Sequence, residues 1–426
     1  MRLTRVAIFL LGVVSPAVGL AGTLAEPTDG EDSVAQQLGL SGSLRGGYWS
    51  SSRNLEDGEH FPLAALWLKA APKVFTNASL VLEGWIRNQD LFREDATEGA
   101  LREAYFATSL GPLDLRVGRQ IIAWGRADRI NPTDNLTPRD FTLLVPEDED
   151  QRLGPVAVKA TYHLGGLALT GVWLPHFEPH TIPLRRVPGV TIGERVPRET
   201  FAQWAIRLEQ TGRAIDWSLS YFNGFDLVPD FAIDRVTFSS LDVLLKYHRI
   251  RVIGADAAAT LGRYGVRAEA AYTFTEDPSG RRPQVKNPFF FLVLGGDRTF
   301  LERLNVNLQY LFRFVVHHLS PVDLQDPIQR GVATEEAIVA NELDEFLHGA
   351  SLRVSHTWLN ETLEGEVAGI LTFTRLDFVI RPKLTYAVTD RWKAVVGADI
   401  FRGERRSFFG RLRDNSTAFA EVRWSF

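Results

Sequence analysis

The chain has 426 residues, no cysteine, one methionine and a formal net charge of −5 at pH 7. The lack of cysteine excludes thiol catalysis, disulfides and cysteine-ligated metal sites, and the sequence has no basic block of the kind that nucleic-acid binding requires. The hydrophobic fraction is 45% and the mean hydropathy is −0.07. After residue 21, no stretch reaches the run of about 18 apolar residues that a membrane-spanning helix needs.

The N-terminal segment predicts export. Arg2 and Arg5 precede an apolar core at 6–14, and small residues follow up to Ala21. This is the pattern of a secretory signal peptide, so we predict that residues 1–21 are a signal peptide cleaved after Ala21. Residues 22–37 are acidic and polar, which predicts a loose periplasmic tail.

From residue 38 onward, apolar and polar residues alternate in segments of about 8 to 13 residues. A period of two indicates strands with one face in an apolar medium and the other in a polar medium. Eighteen such segments can be distinguished. They are 38–50, 59–72, 78–88, 99–109, 113–122, 156–164, 167–174, 201–210, 215–222, 249–261, 264–274, 289–299, 304–317, 347–358, 363–373, 377–388, 392–402 and 416–426.

The connections between the segments alternate between short and long, as expected for membrane barrels with short periplasmic turns and long extracellular loops. We therefore predict an all-β fold: residues 38–426 form a transmembrane antiparallel up-and-down β-barrel of about 18 strands. Weak patterns at 289–299 and 228–248 leave a range of 16 to 20 strands. An even number places both termini in the periplasm. A soluble β-sandwich or propeller would not require this alternation of connections.

The inward faces of the predicted strands carry charges of both signs, which are costly toward lipid and tolerated in a wet lumen. Irregular alternation at Gly118–Arg119 and Gly254–Asp256 predicts bulges there, and Trp67 and Trp85 are predicted to face inward. The candidate pore-lining residues are Arg87, Arg116, Arg207, Arg267, Arg313, Arg353, Arg381, Lys383, Glu83, Glu269, Glu364, Glu366 and Asp399.

Two interpretations of these charges remain open. The first is a lattice of salt bridges that stiffens the barrel wall, and the second is a pore that binds carboxylate, sulfate or phosphate groups of a solute. Lys occurs at seven positions, so 40 of the 47 basic residues are Arg. Arg suits planar contacts with carboxylates, whether the carboxylate belongs to the solute or to the wall, so this preference fits both interpretations.

Residues 118–152 form a turn-rich loop with three prolines and the succession G-R-Q, W-G, N-P-T-D and T-P-R-D. This pattern resembles the large proteobacterial outer-membrane barrels related to the alginate-export family and their uncharacterised neighbours. The resemblance implies a monomeric eighteen-stranded barrel with an arginine-rich lumen and a long loop that partly constricts the pore. The constriction-loop candidates are Trp124, Asp128, Asn131, Asp134, Arg139 and Asp140.

Two other charged segments lie in predicted loops. The acidic run at 147–150 lacks the spaced ligands of a calcium loop, so we interpret it as a solvated loop tip. In residues 334–348, the apolar side chains recur at helical spacing, and Thr334 is placed as an N-terminal cap. We predict a short amphipathic helix there, folded over the pore mouth.

The last segment, 417–426, alternates up to a terminal aromatic residue, Phe426. It resembles the closing strand of bacterial outer-membrane β-barrels, in which the terminal Phe is part of the signal read by the barrel-assembly machinery. The resemblance implies a Gram-negative outer-membrane location, with membrane lipid and that machinery as partners.

Motifs of catalysis are missing from the sequence: there is no G-x-S-x-G elbow and no H-E-x-x-H helix. Lumen carboxylates such as Glu364 and Glu366 are accounted for by salt bridges. We therefore predict that the protein is not an enzyme and uses no metal or other cofactor.

Three functions remain. The protein is a porin-like channel for a charged solute, an export pore for an anionic polysaccharide, or a non-conducting barrel that partners a periplasmic lipid or electron-transfer system. The sequence favours the first.

Overall fold

The computed structural model describes residues 34–426 except 54, 56, 57, 92, 199 and 200. The predicted signal peptide and nearly all of the predicted tail lie outside the described residues. The end of the tail forms one helical turn, α1 (Val34–Gln37).

Within the described residues, the chain forms 22 strands. These are β1 (Ser41–Trp49), β2 (Phe61–Ala70), β3 (Lys73–Phe75), β4 (Ala78–Asn88), β5 (Thr97–Leu110), β6 (Leu113–Arg119), β7 (Val156–Leu164), β8 (Leu167–Leu174), β9 (Val190–Arg195), β10 (Gln203–Gln210), β11 (Ile215–Phe225), β12 (Asp230–Val236), β13 (Leu241–Lys246), β14 (Arg249–Leu261), β15 (Tyr264–Phe274), β16 (Phe289–Phe300), β17 (Leu304–Val315), β18 (Phe346–Trp358), β19 (Leu363–Thr372), β20 (Phe378–Ala387), β21 (Trp392–Arg402) and β22 (Thr417–Ser425).

Eighteen of these strands close into an antiparallel barrel, in which each pairs with its neighbours along the chain and β22 pairs with β1. The seam is in register over seven residue pairs, from Ser43 opposite Ser425 to Trp49 opposite Phe419. Of the other four strands, β3 extends a turn, and β9, β12 and β13 form a separate sheet. The predicted fold and strand number are confirmed, and residues 228–248 belong to the separate sheet.

The two-residue alternation explains the two faces of the barrel. On β17, Leu308 points outward and is 56% exposed, whereas its neighbours Asn307 and Gln309 point inward and are buried. The outer surface is thus an apolar band, and the polar residues are collected inside.

Among the described residues, the eighteen barrel strands contain one bulge inside a strand pair, and it is not where the sequence predicts one. Pairing shifts between β4 and β5 at Glu83 and Gly84, so that Arg102 is an extra residue on β5. The bulge lets Arg102 and Glu103 both contribute polar groups to the lumen. Pairing runs without a shift through Gly118–Arg119 and Gly254–Asp256, so the two predicted bulges are wrong.

Short connections lie at one end of the barrel, which we call the short-turn end, and long ones at the other, the long-loop end. One connection at the long-loop end is also short, at 373–377 between β19 and β20. The separate sheet has the order β12–β13–β9 and lies in the loops after β8 and β11.

The helix in the β17–β18 loop is α2 (Pro327–Ala340), which begins seven residues before the predicted start and ends eight before the predicted end. Asp326 is the cap, because its side chain accepts from the backbone N–H groups of Ile328 and Gln329, and Pro327 at the first position suits a helix start. The Thr334 hydroxyl instead donates to the Arg330 carbonyl within the helix. The predicted start was therefore wrong.

Four 3-10 segments complete the described structure: Glu94–Ala96, Asp148–Gln151, Pro321–Asp323 and Gly410–Asn415. Neither α-helix in the described part of the chain has the length and apolar character needed to cross a bilayer.

Candidate functional site: the inner loop and the lumen chamber

The β6–β7 connection, residues 120–155, folds into the barrel, and we call it the inner loop. Its side chains and backbone contact residues of strands on several sides of the lumen, from β1 to β20. Loops of this length usually carry function or fold back into the structure, and this one folds back against the inner wall of the barrel.

The first anchor of the inner loop is the Glu269 carboxylate on β15. It accepts hydrogen bonds from the backbone N–H groups of Arg126 (3.0 Å), Ala127 (3.1 Å) and Thr133 (2.9 Å). The Thr133 hydroxyl (2.8 Å) and the Asn131 amide (3.1 Å) also donate to it. Charge-assisted bonds of this kind are about twice as strong as neutral ones, so one buried carboxylate fixes the turn at 125–133.

Gly125 is required at this turn for two reasons. Its φ is +100°, where side chains other than glycine are strained. A Cβ atom there would also lie 2.5 Å from both oxygens of Glu269.

The second anchor is apolar. Leu143, Leu144 and Val145 are buried against a cluster that includes Trp67 and Trp85. Both tryptophans face inward, as predicted, and their rings are 6.0 Å apart. The guanidinium of Arg45 lies 4.0 Å from the Trp67 ring centroid. On this side of the lumen, the inner loop is therefore held by packing.

The third anchor is the acidic run Glu147–Asp150. Asp148 pairs with Arg381 (2.5 Å), Glu147 with Lys383 (2.9 Å) and Asp150 with Arg45 (2.6 Å). The interpretation of this run as a solvated loop tip was wrong. The loop turns inward, and its carboxylates meet the basic residues of the wall.

The surroundings of Asp148 make this anchor resistant to acid. Burial would raise the pKa of the carboxyl, but Arg381, Arg129 and Arg53 outweigh it and lower the pKa to about 2. A lowered carboxyl pKa stabilises the folded arrangement above the ordinary value of 3.8, and this stabilisation is lost as the pH falls toward about 2. The anchor therefore persists through the neutral and mildly acidic range.

Between the inner loop and the wall of β18–β22 lies a chamber of about 600 Å³. Its uncharged lining includes Trp124, Asn131 and Phe419 together with small residues and prolines, and the other twelve lining residues are charged. Carboxylates line it at Asp128, Glu147, Asp148, Glu149, Asp150, Glu366 and Asp399, and basic groups at Arg129, Arg152, Arg353, Arg381 and Lys383. The loop supplies most of the carboxylates and the barrel wall most of the basic groups.

Glu366 is the centre of the charged wall. Its carboxylate is 2.8 Å from Arg129 of the inner loop, 3.7 Å from Lys383 and 3.8 Å from Arg353. Arg353 also pairs with Asp128 at 2.8 Å. Three basic groups around one carboxylate form a site at which a second anionic group can be bound or exchanged.

Of the predicted pore-lining residues, five line the chamber: Arg353, Arg381, Lys383, Glu366 and Asp399. A further five touch the inner loop or its partners without lining the chamber. They are Glu269, Arg87 (2% exposed, donating to the Leu144 carbonyl), Arg267 (donating to the Arg126 carbonyl), Arg207 (over the Trp124 ring) and Glu83 (paired with Arg102).

The other three lie elsewhere. Arg116 is exposed beside Tyr105, toward the short-turn end. Glu364 is exposed on β19, two residues closer to that end than Glu366, with no ion-pair partner among the described residues. Arg313 is at the long-loop end, bonded to Glu342 and to the Ala340 carbonyl.

The predicted constriction residues divide equally. Trp124, Asp128 and Asn131 line the chamber. Asp134, Arg139 and Asp140 instead hold the inner loop together: Asp134 pairs with Arg152 at 2.7 Å, Arg139 lies 3.9 Å from Asp134, and Asp140 caps a turn at Thr142.

Sequence reasoning missed several residues of the site. Arg102 bridges Glu83 and the Glu149 carbonyl, but regular alternation assigns it to the outer face. Arg126 and Arg129 stand inside the loop motif and pair with Asp256 and Glu366. Among the described residues, no group of His, Asp and Glu is arranged to hold a metal ion.

Comparison with solved structures finds proteins with a similar fold at low sequence identity. The structure of Pseudomonas aeruginosa OpdK with vanillate has a TM-score of 0.54 and 10% identity, covering 91% of this chain and 98% of that one. A second structure of the same protein, OccK1 (OpdK), has a TM-score of 0.53 and 11% identity over the same shares. A mutant of the Rh. blastica porin matches with a TM-score of 0.41 and 12% identity, over 91% and 99%.

No family model and no curated protein sequence matches the chain. At these identities the likeness concerns the fold alone: the chain forms a closed 18-stranded barrel similar to that of OpdK.

Proposed function

We propose that the protein is a selective outer-membrane channel for small charged solutes, which pass between the inner loop and the wall of β18–β22. The observation that carries this proposal is the chamber of about 600 Å³, bounded by an acidic loop on one side and a basic wall on the other. A chamber of this size holds a small molecule rather than a polymer chain.

The charges support a solute with a carboxylate or a similar anionic group. Arg129, Arg353 and Lys383 surround Glu366, and a solute carboxylate offers the same acceptor geometry as that side chain. The OpdK structure contains vanillate, and the present chain shares that fold. The acidic residues opposite would suit a positive group elsewhere on the solute.

The alternatives remain predictions. Membership of the alginate-export family and export of an anionic polysaccharide rest on the loop motif, and a chamber of about 600 Å³ suits a small molecule better than a polymer. No contact among the described residues favours a non-conducting barrel. Absence of catalysis, a monomeric state and recognition by the barrel-assembly machinery also remain predictions.

Single-channel recording in planar bilayers tests the proposal. The triple variant E147Q/D148N/D150N removes three ion pairs between the inner loop and the wall, and three negative charges. We expect a higher unitary conductance and a shift of the reversal potential toward anion selectivity. R381Q should shift selectivity toward cations instead.

The matched control is E178Q/D344N/D414N, which neutralises three carboxylates whose ion pairs lie outside the chamber. It should conduct like the unmodified protein. Absence of conductance in the unmodified protein, or equal behaviour of the two triple variants, would exclude a conducting path along the inner loop.

A further inference from the structure

Helix α2 lies in the mouth of the barrel at the long-loop end, among loops from separate sectors. Its Val332 and Val339 pack against Phe231, Val243 and Leu245 of the β9–β12–β13 sheet. The helix and the sheet together cover part of the opening through which a solute would reach the chamber.

A buried polar cluster joins α2 to the sheet. Glu336 of α2, 6% exposed, accepts from the Phe231 backbone N–H at 3.0 Å, and the adjacent residue Asp230 carries a second buried carboxyl, 1% exposed. Asp230 bonds to His248 at 2.6 Å. Two buried carboxyl groups can share a hydrogen bond only when one of them carries a proton.

The other charged and titratable groups of the cluster lie on the loops and strands that surround Glu336. Lys286 lies 3.0 Å from Asp226 and 3.4 Å from Asp230. Glu342 pairs with Arg313, and His318 contacts the Glu342 carbonyl at 3.1 Å. At the edge, exposed Arg282 lies 3.9 Å from Asp277.

The charges of this cluster do not balance without protons. Four carboxyl groups (Asp226, Asp230, Glu336 and Glu342) share two permanent cations, Lys286 and Arg313. Even a protonated His248 would leave an excess of carboxylate. Buried unpaired carboxylates are strongly disfavoured, so the closed arrangement retains at least one carboxyl proton.

We propose that α2 is a proton-sensitive lid on the channel mouth, closed while Glu336 and Asp230 share a proton and released when that proton is lost. The proposal rests on the proposed channel function for its consequence, but the movement of the lid can be measured without it. The lid makes entry of solute dependent on the pH outside the barrel.

The direction of the pH dependence follows from the burial of the carboxyls. Burial and Asp230 raise the pKa of Glu336 above its ordinary value of 4.5, and burial raises the pKa of Glu342 to about 7. An opened lid would return both groups to water, where they ionise near 4.5. Opening therefore releases protons, and closure weakens as the pH rises from about 4.5 through about 7.

Because the chain has no cysteine, spin labels attached to introduced cysteines can measure the movement of α2 specifically. Nitroxide labels at G331C and L376C report the distance from α2 to the barrel rim, and labels at G331C and S239C the distance from α2 to the sheet. A side chain at position 331 meets no atom within 4 Å, and Leu376 is 70% exposed. Distances are measured by pulsed electron resonance in vesicles at about pH 5 and about pH 9.

We expect at least one distance to lengthen and broaden at the higher pH. In E336Q, where the side chain is neutral at every pH and keeps the size and hydrogen bonds of the protonated acid, both distances should stay short. E335Q, the same change at the exposed neighbour, should behave like the unmodified protein. Distances that are equal at both pH values, or an E336Q response equal to that of E335Q, overturn the proposal.

Conductance over the same pH range separates the two proposals. A lid that moves in a barrel that never conducts would contradict the channel and leave the lid supported. A channel that conducts equally at both pH values, with unmoved labels, would contradict the lid alone. With both proposals correct, the open probability rises with pH in the unmodified protein and stays low in E336Q.

Discussion

Glu269 shows how one side chain can set the path of a long loop. A lone carboxylate in a protein interior is costly, and five donors are needed to hold it. Three of these donors are backbone N–H groups of the inner loop, so the loop satisfies its own polar groups by turning around the carboxylate of this β15 residue. Gly125 permits the approach, because any side chain there would occupy the position of the carboxylate.

At this scale we predict the effect of Gly125→Ala. The added methyl group meets Glu269, and the backbone is held at a φ that alanine disfavours, so the free energy of unfolding should fall by about 1–3 kcal/mol. Urea titration in phospholipid vesicles measures it. Single-channel traces should also become noisier as the loop loosens.

The control for this prediction is Gly46→Ala. A Cβ at Gly46 has no atom within 4 Å, so the change should be below about 1 kcal/mol. Equal unfolding curves for the two variants would mean that the loop does not depend on the Gly125 turn.

Among the elements, α2 shows why a periodic pattern does not fix a helix boundary. The apolar spacing from Ile338 onward is compatible with a helix that continues past residue 341, but Asn341 adopts the left-handed conformation, with φ of 57°, and ends it. Phe346 and Leu347 instead begin β18, because their backbone pairs with β17. Pairing with a strand that is already present outweighs a local helical preference.

We predict that Asp326→Ala loosens α2 and that Thr334→Ala does not. Loss of the cap costs about 1 kcal/mol, which corresponds to roughly fivefold faster hydrogen exchange at the backbone amides of 328–340. Thr334 bonds within the helix, so its loss should change exchange by less than about twofold. Mass spectrometry of the exchanged protein distinguishes the two variants, and faster exchange in the Thr334 variant would contradict the assigned cap.

Over the whole molecule, the charged residues are distinguished by where they lie and not by a large net charge. The net charge is only −5, yet carboxylates of the inner loop face basic groups of the wall across one chamber, and the outer surface is a band of exposed apolar residues such as Leu219, Leu308 and Val422. Closure of β22 onto β1 leaves no free sheet edge in this band.

A substitution on the outer band tests this arrangement. Leu308→Arg places a charge near the middle of β17, on the lipid face, and should lower the free energy of unfolding in vesicles by about 2–4 kcal/mol. Leu359→Arg is the control, because Leu359 is 64% exposed in a short turn outside the band, and it should lower the free energy by less than about 1 kcal/mol. Similar losses for the two variants would argue against a membrane around β17.

The sequence by itself determined the eighteen barrel strands, their faces and the alternation of short and long connections. Each of these depends on a period of two residues and on local turn residues, and both can be read within about ten positions of the chain. The inward position of Trp67, Trp85 and most of the charged residues followed from the same period.

The tertiary structure alone decided where the inner loop goes, what its acidic run binds and where the bulge at Arg102 lies. The partners of Asp148 and Glu147 are Arg381 and Lys383, more than 200 residues away in the chain, so no local pattern reveals them. The same holds for Glu336 and Asp230. Ion pairs form between groups that the closed barrel brings together. Their positions along the chain do not indicate that these groups are close in space.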